Sequence, residues 1–317
     1  MKRILIAYDG SPSAEAAIDD LGNAGLPTQL EAAVMCVADV WMPPALSNGS
    51  PAPQLFPEAV RKARDRAFQA VSEARAVAER GAGRIRELFP KWEVTPLACG
   101  DSPSWAVVQK AHDWSADLVV VGAHSHSALE RVFLGSVAHR AMAEAHCSVR
   151  VARLCVGTRR KELSIMIGVD GSSDSENAVR EVVRRRWPAD ARFSLISVID
   201  TRMQTLTAWP GLAADRRAQQ HFQDASDWIS RVVDRLGGEL RQGGLAVETH
   251  IFEGEPKKVL LKKAHKWKAD CLFVGAHGLQ HGRRLFLGSL ATAVATRAPC
   301  SVEIVRVSTR ADYENRP

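Results

Sequence analysis

Ala111-His112-Asp113-Trp114-Ser115-Ala116-Asp117-Leu118-Val119-Val120-Val121-Gly122-Ala123-His124 returns later in the chain as Ala264-His265-Lys266-Trp267-Lys268-Ala269-Asp270-Cys271-Leu272-Phe273-Val274-Gly275-Ala276-His277. The offset is 153 residues, and nine of the 14 positions are identical. The same offset holds for Arg131/Arg284, Phe133/Phe286, Leu134/Leu287, Gly135/Gly288, Ser136/Ser289 and Cys147/Cys300. Nearer the start, Asp9-Gly10-Ser11 matches Asp170-Gly171-Ser172 at an offset of 161. The first copy is therefore about eight residues longer, and its Pro-rich stretch Met42 to Pro57 reads as the extra loop. A repeat of this length is a whole domain and not a solenoid unit. The division falls at residues 1–154 and 162–308, with Gly157 and the charge run Arg159-Arg160-Lys161 between them.

Each copy alternates strand and helix. Short apolar runs predict strands at Arg3 to Tyr8, Leu30 to Val40, Trp92 to Cys99, Leu118 to Val121 and Ser148 to Ala152. Helical spacing predicts helices at Ser11 to Leu21, Glu58 to Phe89, Ser104 to Ser115 and Ser136 to Glu144. The second copy repeats the order, with strands at Ser164 to Val169, Arg192 to Val198, Ala246 to Phe252, Cys271 to Val274 and Ser301 to Val305. Its helices are expected at Ser173 to Arg185, Arg216 to Gln242, Pro256 to Lys266 and Ser289 to Arg297. Near-continuous apolar strands alternating with helices mean an α/β fold with a parallel sheet covered on both faces. Such sheets bind ligands beyond the carboxyl ends of their strands.

The 317 residues are 46% hydrophobic and 25% charged, enough apolar material to exclude disorder over most of the chain. No run approaches the ~20 apolar residues of a membrane span. The apolar run Ile4 to Tyr8 ends at Asp9, too short for a signal peptide. Cys36, Cys99, Cys147, Cys155, Cys271 and Cys300 form no C-x-x-C pair and sit mostly in apolar runs. They read as buried thiols of a reducing, cytoplasmic protein. The net charge of +6 is uneven, −1 through Arg153 and +7 beyond it. That favours an acidic partner for the second copy without identifying one.

Function shows in the glycine spacing. Gly275-x-x-Gly278, nine residues, then Gly288-Ser289 begins where a strand ends and finishes where a helix starts. Glycines admit phosphate oxygens close to backbone N–H groups, and a helix N-terminus adds free donors and a positive dipole end. The Ser289 hydroxyl offers a side-chain contact.

With these motifs the chain resembles the universal stress protein family in its tandem two-domain form. Asp-Gly-Ser follows the first strand of each copy. Further matches are Gly100-Asp101-Ser102-Pro103 with Gly254-Glu255-Pro256, the strand starts Ala116-Asp117 and Ala269-Asp270, and the glycine loop. The resemblance covers nearly the whole chain. It implies two Rossmann-like, adenine nucleotide α-hydrolase-like domains, each a five-stranded mainly parallel sheet with helices on both faces. It also implies ATP as the ligand and dimerisation through the last strand. Asp170 is then the acidic residue beside the nucleotide and its Mg²⁺, with Gly168, Val169 and Val198 at the base. Gly275, His277, Gly278, Gly288, Ser289 and Leu290 form the phosphate and ribose loop. The first-copy counterparts are Ala7, Tyr8, Asp9, Val37, Gly122, Gly135, Ser136 and Val137. Ser125 stands where the second glycine belongs, so the second copy is expected to hold the stronger site.

Plainer readings stand beside these. Asp9 and Asp170 also suit helix capping, Gly135-Ser136 and Gly288-Ser289 suit ordinary helix starts, and His124 and His277 suit ordinary loop positions. His124 and His126 lack a third metal ligand at useful spacing. The run Lys257 to Lys268 reads as the solvated face of an amphipathic helix, so neither nucleic acid nor a membrane is expected as a partner. The tryptophans are expected in the core. No G-x-x-x-x-G-K-[ST] motif and no nucleophile–base pair stands at the motif positions, so ATP turnover is expected to be slow or absent. Ser148 to Ala152 and Ser301 to Val305 are expected to join the copies as an intramolecular pseudo-dimer, hiding two sheet edges. Whether the whole chain also forms a homodimer is left open by the sequence.

Overall fold

The computed structural model describes residues 1–41, 58–123, 134–153, 162–201, 216–279 and 287–306. In the first half the strands are β1 (Arg3–Ala7), β2 (Glu31–Ala38), β3 (Glu93–Gly100), β4 (Leu118–Gly122) and β5 (Ser148–Ala152). The helices are α1 (Pro12–Asp20), α2 (Glu58–Leu88), α3 (Pro103–Asp113) and α4 (Ser136–Glu144). The second half repeats the set as β6 (Ser164–Gly168), α5 (Ser173–Arg184), β7 (Arg192–Asp200), α6 (Arg216–Gln242), β8 (Val247–Gly254), α7 (Pro256–Trp267), β9 (Cys271–Gly275), α8 (Ser289–Arg297) and β10 (Ser301–Val305). Met42 to Pro57, Ser125, His124, His126 and Cys155 lie outside the described residues.

Within each half every strand pairs parallel, in the order β3-β2-β1-β4-β5 and its repeat β8-β7-β6-β9-β10. The halves meet where β5 and β10 pair antiparallel, with Arg150 opposite Glu303, so the two five-stranded sheets run on as one of ten strands.

One face of the sheet carries α1, α2, α5 and α6 over separate apolar clusters, two in the first half and one in the second. The other face carries α3, α4, α7 and α8 over a single cluster that crosses the joint, from Leu5 and Val149 to Val302 and Leu272. The two N-terminal helices begin alike. Ser11 Oγ accepts from Ala14 N at 3.2 Å, and Ser172 Oγ accepts from Ser175 N at 3.3 Å. These caps satisfy N–H groups that a helix start leaves without partners.

The expectation that the tryptophans lie in the core is corrected. Among the described tryptophans only Trp92 is buried, while Trp41, Trp105 and Trp228 are exposed. An indole covers so much area that packing one flat against a helix or turn leaves an edge in water. In α3 the buried face is Ala106, Val107, Val108 and Ala111, which leaves Trp105 outside under the Arg140 guanidinium. The five described cysteines are free thiols. Burial pushes the thiols of Cys147 and Cys271 up to about 12, so both stay protonated and inert. Among the described residues no helix is long and apolar enough to cross a membrane.

Candidate functional site

The carboxyl ends of β1, β2 and β4 in the first half open into a cavity of about 230 Å³. All eight first-copy candidates line it: Ala7, Tyr8, Asp9, Val37, Gly122, Gly135, Ser136 and Val137. Val37 and Met35 come from β2, Val107 from α3, and Gly135 to Ala138 from the N-terminus of α4. The walls are thus apolar side chains, and the polar groups are the first turn of a helix and the Asp9 turn. Asp9 Oδ1 accepts from Ser11 N at 2.9 Å, which fixes that turn. Ser13, Ala14, Pro103 and Val121 also line the cavity and were not among the site residues expected from the sequence. They sit at helix starts and on a buried strand, where residue type alone does not distinguish a wall from a core.

In the second half the same turn is tighter. Asp170 Oδ1 accepts from Ser172 N at 3.0 Å and from Ser172 Oγ at 2.6 Å, and Ser172 Oγ lies 3.1 Å from the His277 carbonyl oxygen. Asp174, nearly buried, accepts from His277 N at 3.0 Å, and its Oδ2 lies 2.7 Å from His277 Nδ1. Its counterpart in the first half is Ser13, so this carboxylate–imidazole pair belongs to the second half alone. Gly288 N donates to Ala276 O at 2.8 Å and draws the far end of the loop back beside His277. Asp170, His277, Gly278 and Gly288 are therefore gathered at one place, with Ser289 exposed on the first turn of α8. Leu290 and Val198 pack against the shared apolar cluster, as their counterparts Val137 and Val37 do. Gly168 and Val169 are buried at the end of β6.

A size exchange separates the two halves beneath the site. The first half has Ala7 with Val107; the second has Gly168 with Leu260. A Cβ on Gly168 would lie 3.3 Å from Leu260 Cδ1, so the longer leucine takes up the space that the missing methyl leaves.

The glycines divide by role. A Cβ on Gly122 would lie 2.3 Å from the Ser13 carbonyl oxygen, and one on Gly275 2.6 Å from Ser175 N. These two make room for the backbone at the start of α1 and α5, a packing need in addition to the phosphate approach expected from the sequence. Gly278 differs, because a Cβ there would meet Asp170 Oδ2 at 2.8 Å. Its bare backbone lies close against a carboxylate oxygen. That hard oxygen suits a magnesium ion carried in by a phosphate, since Mg²⁺ takes one or two carboxylates and keeps phosphate oxygens and water as its other ligands. Among the described residues no group of three or more His, Cys, Asp and Glu side chains is placed to hold a metal without such help.

Comparison with known proteins agrees with this architecture. The sequence model of the universal stress protein family matches residues 1–153 and again 163–306. A universal stress protein of Staphylococcus aureus is 28% identical over 144 residues, 45% of this chain and 83% of that protein. The crystal structure of a universal stress protein from Archaeoglobus fulgidus superposes with a TM-score of 0.64 at 16% identity, covering 96% of this chain and 98% of that one. One from Pseudomonas aeruginosa gives 0.55 at 12% identity, covering 97% and 94%. These likenesses in structure concern the fold. With two family matches spanning nearly all of its length, the chain belongs to the universal stress protein family, as two tandem copies.

Proposed function

We propose that this chain is a cytoplasmic adenine-nucleotide-binding stress or signalling protein, with ATP as ligand and a site at the strand ends of each half. The units are residues 1–154 and 162–308. The observation that carries the reading is the first-half cavity, where apolar walls from three strands and a helix meet the N-terminus of α4. Apolar walls suit the base, and free helix N–H groups suit phosphate. At about 230 Å³ the cavity is smaller than the roughly 300–1,000 Å³ of sites that enclose a whole drug-sized ligand. In this reading the cavity takes the base and sugar, and the phosphates point to the N-terminus of α4.

The second half is the stronger triphosphate site in this reading. It has glycine at 278 where the first copy has Ser125, and Asp170 beside that glycine would hold Mg²⁺. Asp174 does not oppose the phosphates as a bare charge, because it is engaged by His277. The groups supplied are backbone donors, a helix terminus and one carboxylate, a binding set without an activated nucleophile. We therefore read the protein as a binder with slow turnover or none. Denaturing the purified protein and identifying released small molecules tests the reading. Adenine nucleotide near one or two per chain supports it. A protein that releases none, and shows no heat on titration with ATP and Mg²⁺, is an interaction module instead.

A further inference from the structure

Arg150 and Glu303 occupy the same position of the repeat, 153 residues apart, and they face each other at the centre of the β5–β10 joint. An antiparallel joint between two like domains sets each position against itself. Most contacts at this joint obey that symmetry. Arg153 N donates to Ser301 Oγ at 3.0 Å, and Arg306 N donates to Ser148 Oγ at 3.3 Å. The Arg153 guanidinium donates to the Ala295 and Thr296 carbonyls at the end of α8. The Arg306 guanidinium donates to Met142 and Ala145 at the end of α4. Two first halves, or two second halves, could form all of these equally well.

The central pair breaks the symmetry. Arg150 and Glu303 are both fully buried, and Arg150 Nη1 lies 3.1 Å from Glu303 Oε2. Each also has a partner in its own half. Arg150 Nε reaches Asp20 at 2.6 Å, and Arg185 Nη1 reaches Glu303 at 2.9 Å. Unlike pairing adds the Arg150–Glu303 contact, the contact of Arg150 Nη1 with Cys271 Sγ at 3.3 Å, and the bond from Arg185 Nη1 to the Ala24 carbonyl at 2.8 Å. The counterpart of Arg185 in the first half is Ala24, so two first halves have no guanidinium to make this last bond. Like pairing would instead set arginine against arginine, or glutamate against glutamate, directly opposite in a dry joint, where like charges repel most.

We propose that the Arg150–Glu303 pair selects the partner of this edge: each half accepts only the unlike half, so the chain closes on itself and is kept from joining other copies through β5–β5 or β10–β10. Buried ion pairs are poor sources of net stability, and their best-attested use is to specify register and partner.

The test uses full-length chains. Arg150→Glu sets two glutamates opposite each other within one chain, and Glu303→Arg sets two arginines. Each variant alone should lose its intrachain joint. Co-expressed, they should form a one-to-one complex, because the second half of R150E and the first half of E303R still offer the native pair. Native mass spectrometry reads the outcome. If both variants stay monomers when mixed, with β5 and β10 still protected from hydrogen exchange, the proposal is overturned. Should neither variant accumulate as folded protein, the apolar set Asp20→Leu, Arg150→Met and Glu303→Leu takes their place, leaving Arg185 with Glu181 and Ala24. Tagged and untagged copies of that variant should capture each other at least tenfold more than wild type does. Capture at the wild-type level would overturn the proposal.

Discussion

Asp174 holds His277 twice, by its backbone N at 3.0 Å and by its ring Nδ1 at 2.7 Å, and so fastens the glycine loop to the start of α5. A hydrogen bond to a charged group contributes about 1.5–3 kcal/mol. If the loop receives phosphate, Asp174→Ala should weaken nucleotide binding at the second site by about tenfold or more. Asp174→Asn, which keeps an oxygen for the backbone N–H, should lose less. Calorimetry on both variants decides this; wild-type affinity in D174A would remove the loop from the site.

Gly278 gives a sharper contrast. A methyl there would lie 2.8 Å from Asp170 Oδ2, so Gly278→Ala must move the carboxylate or the loop. The expected result is a loss of the Mg²⁺-dependent part of ATP affinity, with nucleoside affinity nearly kept. Ser125→Gly should bring the first site closer to the second. Equal affinities of the two sites in the wild-type chain would refute the asymmetry.

The turn below is tested by stability. Gly10 and Gly171 are repeat partners at φ of +76° and +83°, where a side chain costs about 1–2 kcal/mol. At Gly10 the nearest atom to a Cβ is Val77 Cγ1 at 3.4 Å, ordinary contact. At Gly171 the Trp228 ring would be 2.3 Å away and must be displaced. Gly171→Ala should therefore destabilise more than Gly10→Ala in urea, and only G171A should shift Trp228 emission. Equal losses would mean that the ring yields freely.

These contrasts show what the sequence could and could not tell. Strand and helix positions follow from apolar period, and the offset of 153 brings Arg150 and Glu303 to notice once they are aligned. The Asp174–His277 pair was not legible. Its members lie 103 residues apart, and the repeat offers no counterpart because Ser13 stands at the other position. Nor could spacing separate the two roles of glycine. Gly275 clears the backbone of α5 and Gly278 clears a carboxylate, a distinction that exists only once α5 is docked.

Tyr8 predicts an alkaline limit to stability. Burial, then its hydrogen bond to Glu15, raise its phenol to about 12. The folded pKa lies above the unfolded value near 10, so the stabilisation is complete below pH 10 and is lost as pH rises from 10 to about 12. At about 1.4 kcal/mol per unit, the loss is roughly 2–3 kcal/mol. Urea midpoints for wild type and Tyr8→Phe, compared between pH 9 and 11.5, should converge as the pH rises. A constant gap between them would assign Tyr8 no part in the alkaline loss.

The last expectation concerns turnover. Asp170 is tied to Ser172 through Oδ1, which leaves Oδ2 facing Gly278 for a metal or a water. Backbone donors and a helix terminus bind ground-state phosphates as well as a transition state, and uniform binding of that kind lowers no barrier. His277 could act as a base only if Asp174 orients it toward an attacking water. The expected rate of ATP hydrolysis is therefore far below the median enzyme value of about 10 per second. Asp170→Ala and His277→Ala should reduce Mg·ATP affinity without abolishing a catalytic rate. Steady hydrolysis near 10 per second in wild type, lost in either variant while nucleotide still bound, would establish an ATPase and make the Asp174–His277 pair part of its chemistry.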